Sequence, residues 1–243
     1  MKAILLAAGT GSRISGDIGQ MPKSMLDVGG KPLIVHTVEL LQKNHIEVIV
    51  ITGFEHKVIE DALKDYHVTV YYNPFYRVTN SIGSLWYARQ EFRSTNEVMI
   101  ANADVYYTQD LLDKILTTES GSPGAEFDNF LLADRTRADT GDYFFLCEDG
   151  ILQKYGKGLA REERNCEYVG ICVLRRDWVL KFCGQLCRMI ENGEYDLWWE
   201  NVLYSMADTE KIHVVDVDGI FWSEVDTIED YRRVLEHKGV RPL

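Results

Sequence analysis

Apolar positions in the first hundred residues fall into two repeating patterns. Short apolar runs at Ala3–Ala8, Val48–Thr52, Val68–Tyr72 and Glu97–Ala101 read as strands. Between them, apolar residues recur at helical spacing over Pro32–Asn44, Glu55–Lys64 and Ser81–Phe92. Pro32 opens its segment, where a proline costs a helix no hydrogen bond. Strand and helix in strict alternation predict a parallel sheet covered by helices.

The pattern shifts after residue 118. Residues 119–127 are rich in Gly, Ser and Pro and predict a loop, not a linker, because strand patterns resume at once. Phe130–Ala133, Tyr143–Cys147, Leu152–Tyr155 and Tyr168–Leu174 read as shorter strands, partly antiparallel. Helices are predicted over Asp177–Glu191 and Leu197–Ala207, then a strand at His213–Val217, the segment Glu224-Val225-Asp226 and a closing helix at Ile228–Leu235. The fold class that follows is α/β: one Rossmann-like domain over residues 1–243, with a mixed, mostly parallel sheet and an inserted subregion in its second half. Residues 118–127 and 135–142 are expected to be mobile from their Gly, Ser, Thr and Asp content.

Composition narrows the partners. The net charge of −12 over 243 residues argues against nucleic acid, which requires a basic face. Residues 1–31 nevertheless carry +2 and the remainder −14, so a polyanionic substrate is drawn to the N-terminal corner, with a divalent cation offsetting repulsion elsewhere. No apolar run is long enough for a membrane span, and the chain enters its first strand without a signal-peptide pattern. The five cysteines are odd in number and form no C-x-x-C pair, so they are expected in the core of a cytoplasmic protein.

The chemistry concentrates where the first strand ends. Gly9 and Gly11 allow backbone N–H groups to approach an anion, and Arg13 and Lys23 add fixed charge. This is not a P-loop, because Ser12-Arg13 follows Gly11 where Lys and Ser/Thr are needed. It is not a dinucleotide fingerprint either, since Ile14 replaces the third glycine and Thr52-Gly53 ends strand two without an acid.

Leu6-Ala7-Ala8-Gly9-Thr10-Gly11-Ser12-Arg13, followed by Pro22-Lys23, resembles the signature of the sugar-nucleotide pyrophosphorylase superfamily of nucleotidyltransferases. The resemblance runs from Met1 to about Arg233. It implies a nucleotide-binding half over about residues 1–117 and an acceptor-binding, metal-completing half over about 118–243. The implied reaction is attack by a phosphomonoester oxygen on the α-phosphorus of a nucleoside triphosphate, with loss of pyrophosphate and no covalent enzyme intermediate. Arg13 is then expected at the β- and γ-phosphates and Lys23 at the α-phosphate and the incoming phosphate. In such enzymes an aspartate after strand four and another near the C-terminus hold Mg²⁺; Asp104 in Asn102-Ala103-Asp104 and Asp226 in Glu224-Val225-Asp226-Thr227 match them.

Asn80-Ser81-Ile82-Gly83-Ser84 falls where the superfamily reads the base, with Asn80, Ser81 and Ser84 as candidate contacts, and it also reads as a helix cap. It departs from the G-T-A pattern of sugar-nucleotide enzymes and is similar to the N-x-x-S loop of cytidylyltransferases. Glu194-Tyr195-Asp196-Leu197-Trp198-Trp199-Glu200-Asn201 and Phe221-Trp222-Ser223-Glu224 resemble segments of bacterial phosphocholine cytidylyltransferases. CTP and a small phosphorylated amine are therefore the implied substrates, with Asp196, Trp199, Glu200, Trp222 and Glu224 as the expected acceptor pocket. One of the adjacent Trp198 and Trp199 is expected in the core, because neighbouring helical positions cannot both face a ligand. Aminoethylphosphonate, phosphoethanolamine and inositol phosphate remain alternative acceptors, and a sugar-1-phosphate nucleotidyltransferase or a silent nucleotide-binding regulator alternative functions. A monomer or homodimer is expected.

Overall fold

A computed structural model describes residues 1–11, 21–118 and 127–240. Its main sheet has nine strands in the order β3-β2-β1-β4-β9-β6-β10-β8-β7. These are β1 Lys2–Ala7, β2 Glu47–Thr52, β3 Val68–Tyr72, β4 Glu97–Asn102, β6 Asn129–Asp134, β7 Phe144–Glu148, β8 Ile151–Gly156, β9 Cys166–Arg175 and β10 His213–Asp216. β1 pairs in parallel with β2 and β4, and β2 with β3, as the alternating pattern predicts. β9 enters antiparallel between β4 and β6, and β8 antiparallel between β10 and β7; the remaining strands all run one way. The sheet is thus mixed with a parallel majority.

The alternation of side chains along β1 explains the layers. Ala3, Leu5 and Ala7 join one apolar cluster and Ile4 the other, one on each face of the sheet. The first face is covered by α1 Leu33–Lys43, α2 His56–Leu63 and α4 Gln109–Thr117. The second is covered by α3 Ser81–Tyr87, α5 Asp177–Glu191 and α6 Asn201–Tyr204. Each Leu or Ile buried this way contributes about 1.5–3 kcal/mol relative to exposure. Four cysteines are buried, Cys187 is half-buried, and all are free thiols.

Three elements differ from expectation, each for a local reason. α3 ends at Tyr87 instead of running to Phe92: the chain turns so that Phe92 can stack on Phe182, with ring centroids 5.6 Å apart, and Glu91 can accept from Lys2. The helix expected over Leu197–Ala207 is α-helical only at Asn201–Tyr204, because Leu197 and Trp199 spend backbone groups on Ile82 and Ser81. A strand unforeseen in the sequence, β5 Val105–Tyr107, pairs antiparallel with β11 Trp222–Glu224. Beyond it, α7 Ile228–His237 begins with a capping box between Thr227 and Asp230.

The segment 135–142 is anchored rather than free. Arg137 lies 2.7 Å from the Glu167 carboxylate, which also accepts from the Asp142 N–H at 3.0 Å. The other expected mobile segment, except for Thr118 and Phe127, falls outside the described residues.

Candidate active site

β1 and β4 lie side by side and end together, and a cavity of about 390 Å³ opens at their carboxyl ends. This is where open α/β sheets place ligands. Leu6, Ala7, Gly9 and Gly11 form one wall, continuing from β1. Gly11 has φ +62°, and a Cβ there would stand 3.0 Å from Lys23 Cγ. The missing side chain therefore lets the stem of Lys23 cross the loop and carry its ammonium inward.

That ammonium sits among acids. Lys23 Nζ donates to Asp226 Oδ1 and lies 3.4 Å from Asp104 Oδ2. The β5–β11 ladder makes this meeting possible: Glu224 pairs with Val105, and the Val225 N–H donates to the Asp104 carbonyl at 2.9 Å. One oxygen each from Asp104, Glu224 and Asp226 lie within 4.8 Å of one another. Three carboxylates against one ammonium leave an excess of negative charge in an all-oxygen donor set, which suits a hard divalent cation such as Mg²⁺. Burial raises the Asp104 carboxyl, with Lys23 opposing, and burial with Asp104 and Asp226 raises Glu224 well above the ordinary range. Burial acts to lower Lys23, but Asp104, Asp226 and Glu224 outweigh it and hold the ammonium above its usual value.

The opposite wall is aromatic. Trp198 meets Tyr143 edge-on with centroids 5.7 Å apart, and Tyr204 stacks on Tyr155 at 3.9 Å. Glu200, 7% exposed, lies among these rings together with Tyr168. Burial pushes Glu200 up to about 7, while Asn102 and Tyr168 favour its charged form. Lys157 pairs with Asp142 at the rim, its Nζ 5.6 Å from the Trp198 ring centroid.

Of the residues expected at the site, Leu6, Ala7, Gly9, Gly11, Lys23, Asn80, Ser81, Asn102, Asp104, Glu200, Glu224 and Asp226 line this one cavity. Ser12 and Arg13 lie outside the described residues. The others are placed elsewhere. Ala8 packs on Gly53, Thr10 is exposed off the cavity wall, and Ser84 is buried, accepting from Asn73 at 3.0 Å. Asp196 is exposed and does not reach the cavity. Trp222 is buried, its indole donating to Asp134 at 2.8 Å and its face covered by Arg137.

Trp199 is fully buried, and Trp198 takes the wall position assigned to it. The physical reason is the turn at 197–200: with Trp199 N–H tied to Ser81, its side chain points inward and its neighbour outward. Tyr143, Lys157, Tyr168 and Tyr204 escaped the sequence reading. They come from four separate elements, and nothing in their local spacing distinguishes them from core aromatics or solvated lysines.

The profile of the MobA-like NTP transferase domain matches residues 3–126. Choline-phosphate cytidylyltransferase from Streptococcus pneumoniae is 24% identical, the alignment covering 97% of each chain. The Haemophilus influenzae choline-phosphate cytidylyltransferase is 26% identical, again over 97% of both. Among solved structures, an inositol-1-phosphate CTP transferase from T. maritima superposes with a TM-score of 0.76 at 21% identity, covering 98% of this chain and 97% of that one. The last likeness establishes the nucleotidyltransferase fold.

Proposed function

The chain belongs to the family of MobA-like NTP transferase domains, and we propose that it transfers CMP from CTP to a small phosphorylated amine, phosphocholine being the model acceptor. The observation that carries the acceptor class is the wall of Trp198, Tyr143, Tyr204 and the Glu200 carboxylate. It shares one cavity with Lys23, Asp104 and Asp226. Aromatic faces beside a carboxylate suit an ammonium, each cation–π contact contributing about 0.5–2 kcal/mol.

In this reading an oxygen of the acceptor phosphate attacks the α-phosphorus of CTP. The bond from that phosphorus to the bridging oxygen breaks, and pyrophosphate leaves with the electron pair. Gly9 and Gly11 offer backbone N–H groups to the triphosphate, and Lys23 meets the α-phosphate and the attacking phosphate. Arg13 takes the β- and γ-phosphates. Asp104 and Asp226, with Glu224 beside them, would hold the divalent cation, which when bound neutralises charge on the phosphates. Two phosphate charges 4 Å apart repel by about 4 kcal/mol at an effective dielectric near 20, so alignment and charge cancellation are the catalytic task.

Lys157 supports a second reading. A cationic headgroup must share the Trp198 face with this ammonium, whereas a polyol phosphate need not. Trp198→Ala separates the two. An amine-bearing acceptor is expected to lose about tenfold in KM, equivalent to about 1.4 kcal/mol. Equal loss for choline phosphate and inositol-1-phosphate would remove the ammonium site from the account.

A further inference from the structure

We propose that Trp199 is a positioning residue that fixes the polar sense of both substrate sites at once. This rests on the reading of the cavity as shared by a nucleotide and a phosphorylated acceptor. Trp199 touches neither substrate, being wholly buried, yet both of its N–H groups end on residues of the cavity wall. Its backbone N–H donates to Ser81 Oγ at 2.9 Å, and its indole Nε1–H donates to Asn102 Oδ1, also at 2.9 Å.

Each bond settles what its partner can offer a ligand. Ser81 Oγ accepts the Trp199 N–H, which fixes the hydroxyl in place and leaves its proton and one lone pair for the nucleotide side. With Asn102 Oδ1 committed to the indole, the amide orientation is set and Nδ2 is turned the other way. That end lies against Gly170, where a Cβ would come within 3.3 Å of it, and the Asn102 side chain favours the ionised form of Glu200. Glu200 is the next residue after Trp199, and Asn102 stands two residues before Asp104. One residue therefore connects the loop at Ser81, through its backbone N–H, with the end of β4, through its indole, and the acceptor carboxylate follows it in the chain. Two backbone bonds reinforce the seam: Asn80 N–H to Tyr195 O at 2.9 Å and Ile82 N–H to Leu197 O at 3.2 Å.

The indole arm can be cut without emptying the core. Trp199→Phe keeps an aromatic ring and deletes the donor, leaving the half-buried Asn102 oxygen without its indole partner and its amide able to reverse toward Glu200. The expected result is an acceptor KM raised about tenfold, with CTP affinity, read by equilibrium dialysis without acceptor, held within about twofold. Asn102→Ala is expected to do the same, and the double variant to be no worse than Asn102→Ala alone. Asn102→Asp, which can still accept from the indole but repels Glu200, is expected to raise acceptor KM beyond Asn102→Ala. These two Asn102 variants carry the test should Trp199→Phe fail to fold.

A readout independent of turnover is the indole N–H resonance that disappears in Trp199→Phe. Its solvent exchange is expected to be at least about tenfold faster in Asn102→Ala than in the wild type. Unchanged exchange, additive effects in the double variant, or parallel losses of CTP and acceptor affinity would overturn the assignment. If the wild type turns over no amine acceptor, the functional reading fails, and the exchange measurement still decides the role of Trp199.

Discussion

Glu200 holds the most consequential single charge on the aromatic wall of the cavity. Burial moves it from its ordinary 4.5 to about 7, so the folded protein keeps a proton there that the unfolded chain releases. The sign follows from linkage: between about pH 4.5 and 7 the native state binds more protons, and stability falls as pH rises through that window. Glu200→Gln is expected to remove this contribution, which urea unfolding at pH 5 and pH 8 measures directly. The same group predicts that KM for an amine acceptor falls as pH rises through about 7, since an ammonium favours the carboxylate. Phosphate ionisation near pH 6 acts on both proteins alike, so only the difference between wild type and Glu200→Gln tests the point. Identical pH profiles would place the ammonium elsewhere. At this scale the sequence was partly legible. Lys23, Asp104 and Asp226 stand in recognisable surroundings, and Glu200 was named, but which of Trp198 and Trp199 faces the cavity turned on one backbone bond to Ser81, invisible in a helical pattern.

Among the elements, the pairing of β5 with β11 does most to assemble the acids. Helical and strand periodicity found the parallel core, because buried strands in a parallel sheet are nearly all apolar. It could not find β5, three residues long and separated from β4 by only Ala103 and Asp104, and without β5 nothing explains why Asp226 returns beside Asp104. β9 holds a second device hidden from pattern reading. Gly170 has φ +87°, and the strand changes there from pairing with β4 to pairing with β7, while its register with β6 shifts nearby. A Cβ at Gly170 would stand 2.9 Å from Val105 Cγ2 and press on Asn102. Gly170→Ala is therefore expected to destabilise the fold by about 1–3 kcal/mol, a loss read by denaturant titration. Wild-type stability in that variant would mean β9 adapts without cost.

Across the whole molecule, charge and shape agree on the location of chemistry. A chain of net charge −12 gathers Lys23 and a glycine turn at one end of its sheet, and three acids close against that lysine. The two apolar faces of the sheet are covered by helices, so the aromatic wall at Trp198 and Tyr143 is exposed to the cavity by the fold instead of being left over from it. Among the described residues no helix is long and apolar enough to cross a membrane. Fold class and reaction class were legible from the N-terminal motif and the alternating pattern, whereas the aromatic wall, where Tyr143 meets the segment from Trp198 to Tyr204, exists only in three dimensions. The most direct test is pyrophosphate release with Mg²⁺ and phosphocholine, comparing CTP with UTP, GTP, ATP and dTTP, and repeating the CTP reaction with Asp104→Ala and with a chelator. Release is expected with CTP alone and is abolished in both controls. Equal turnover with a purine nucleotide, or full activity in Asp104→Ala, would contradict the proposed transfer.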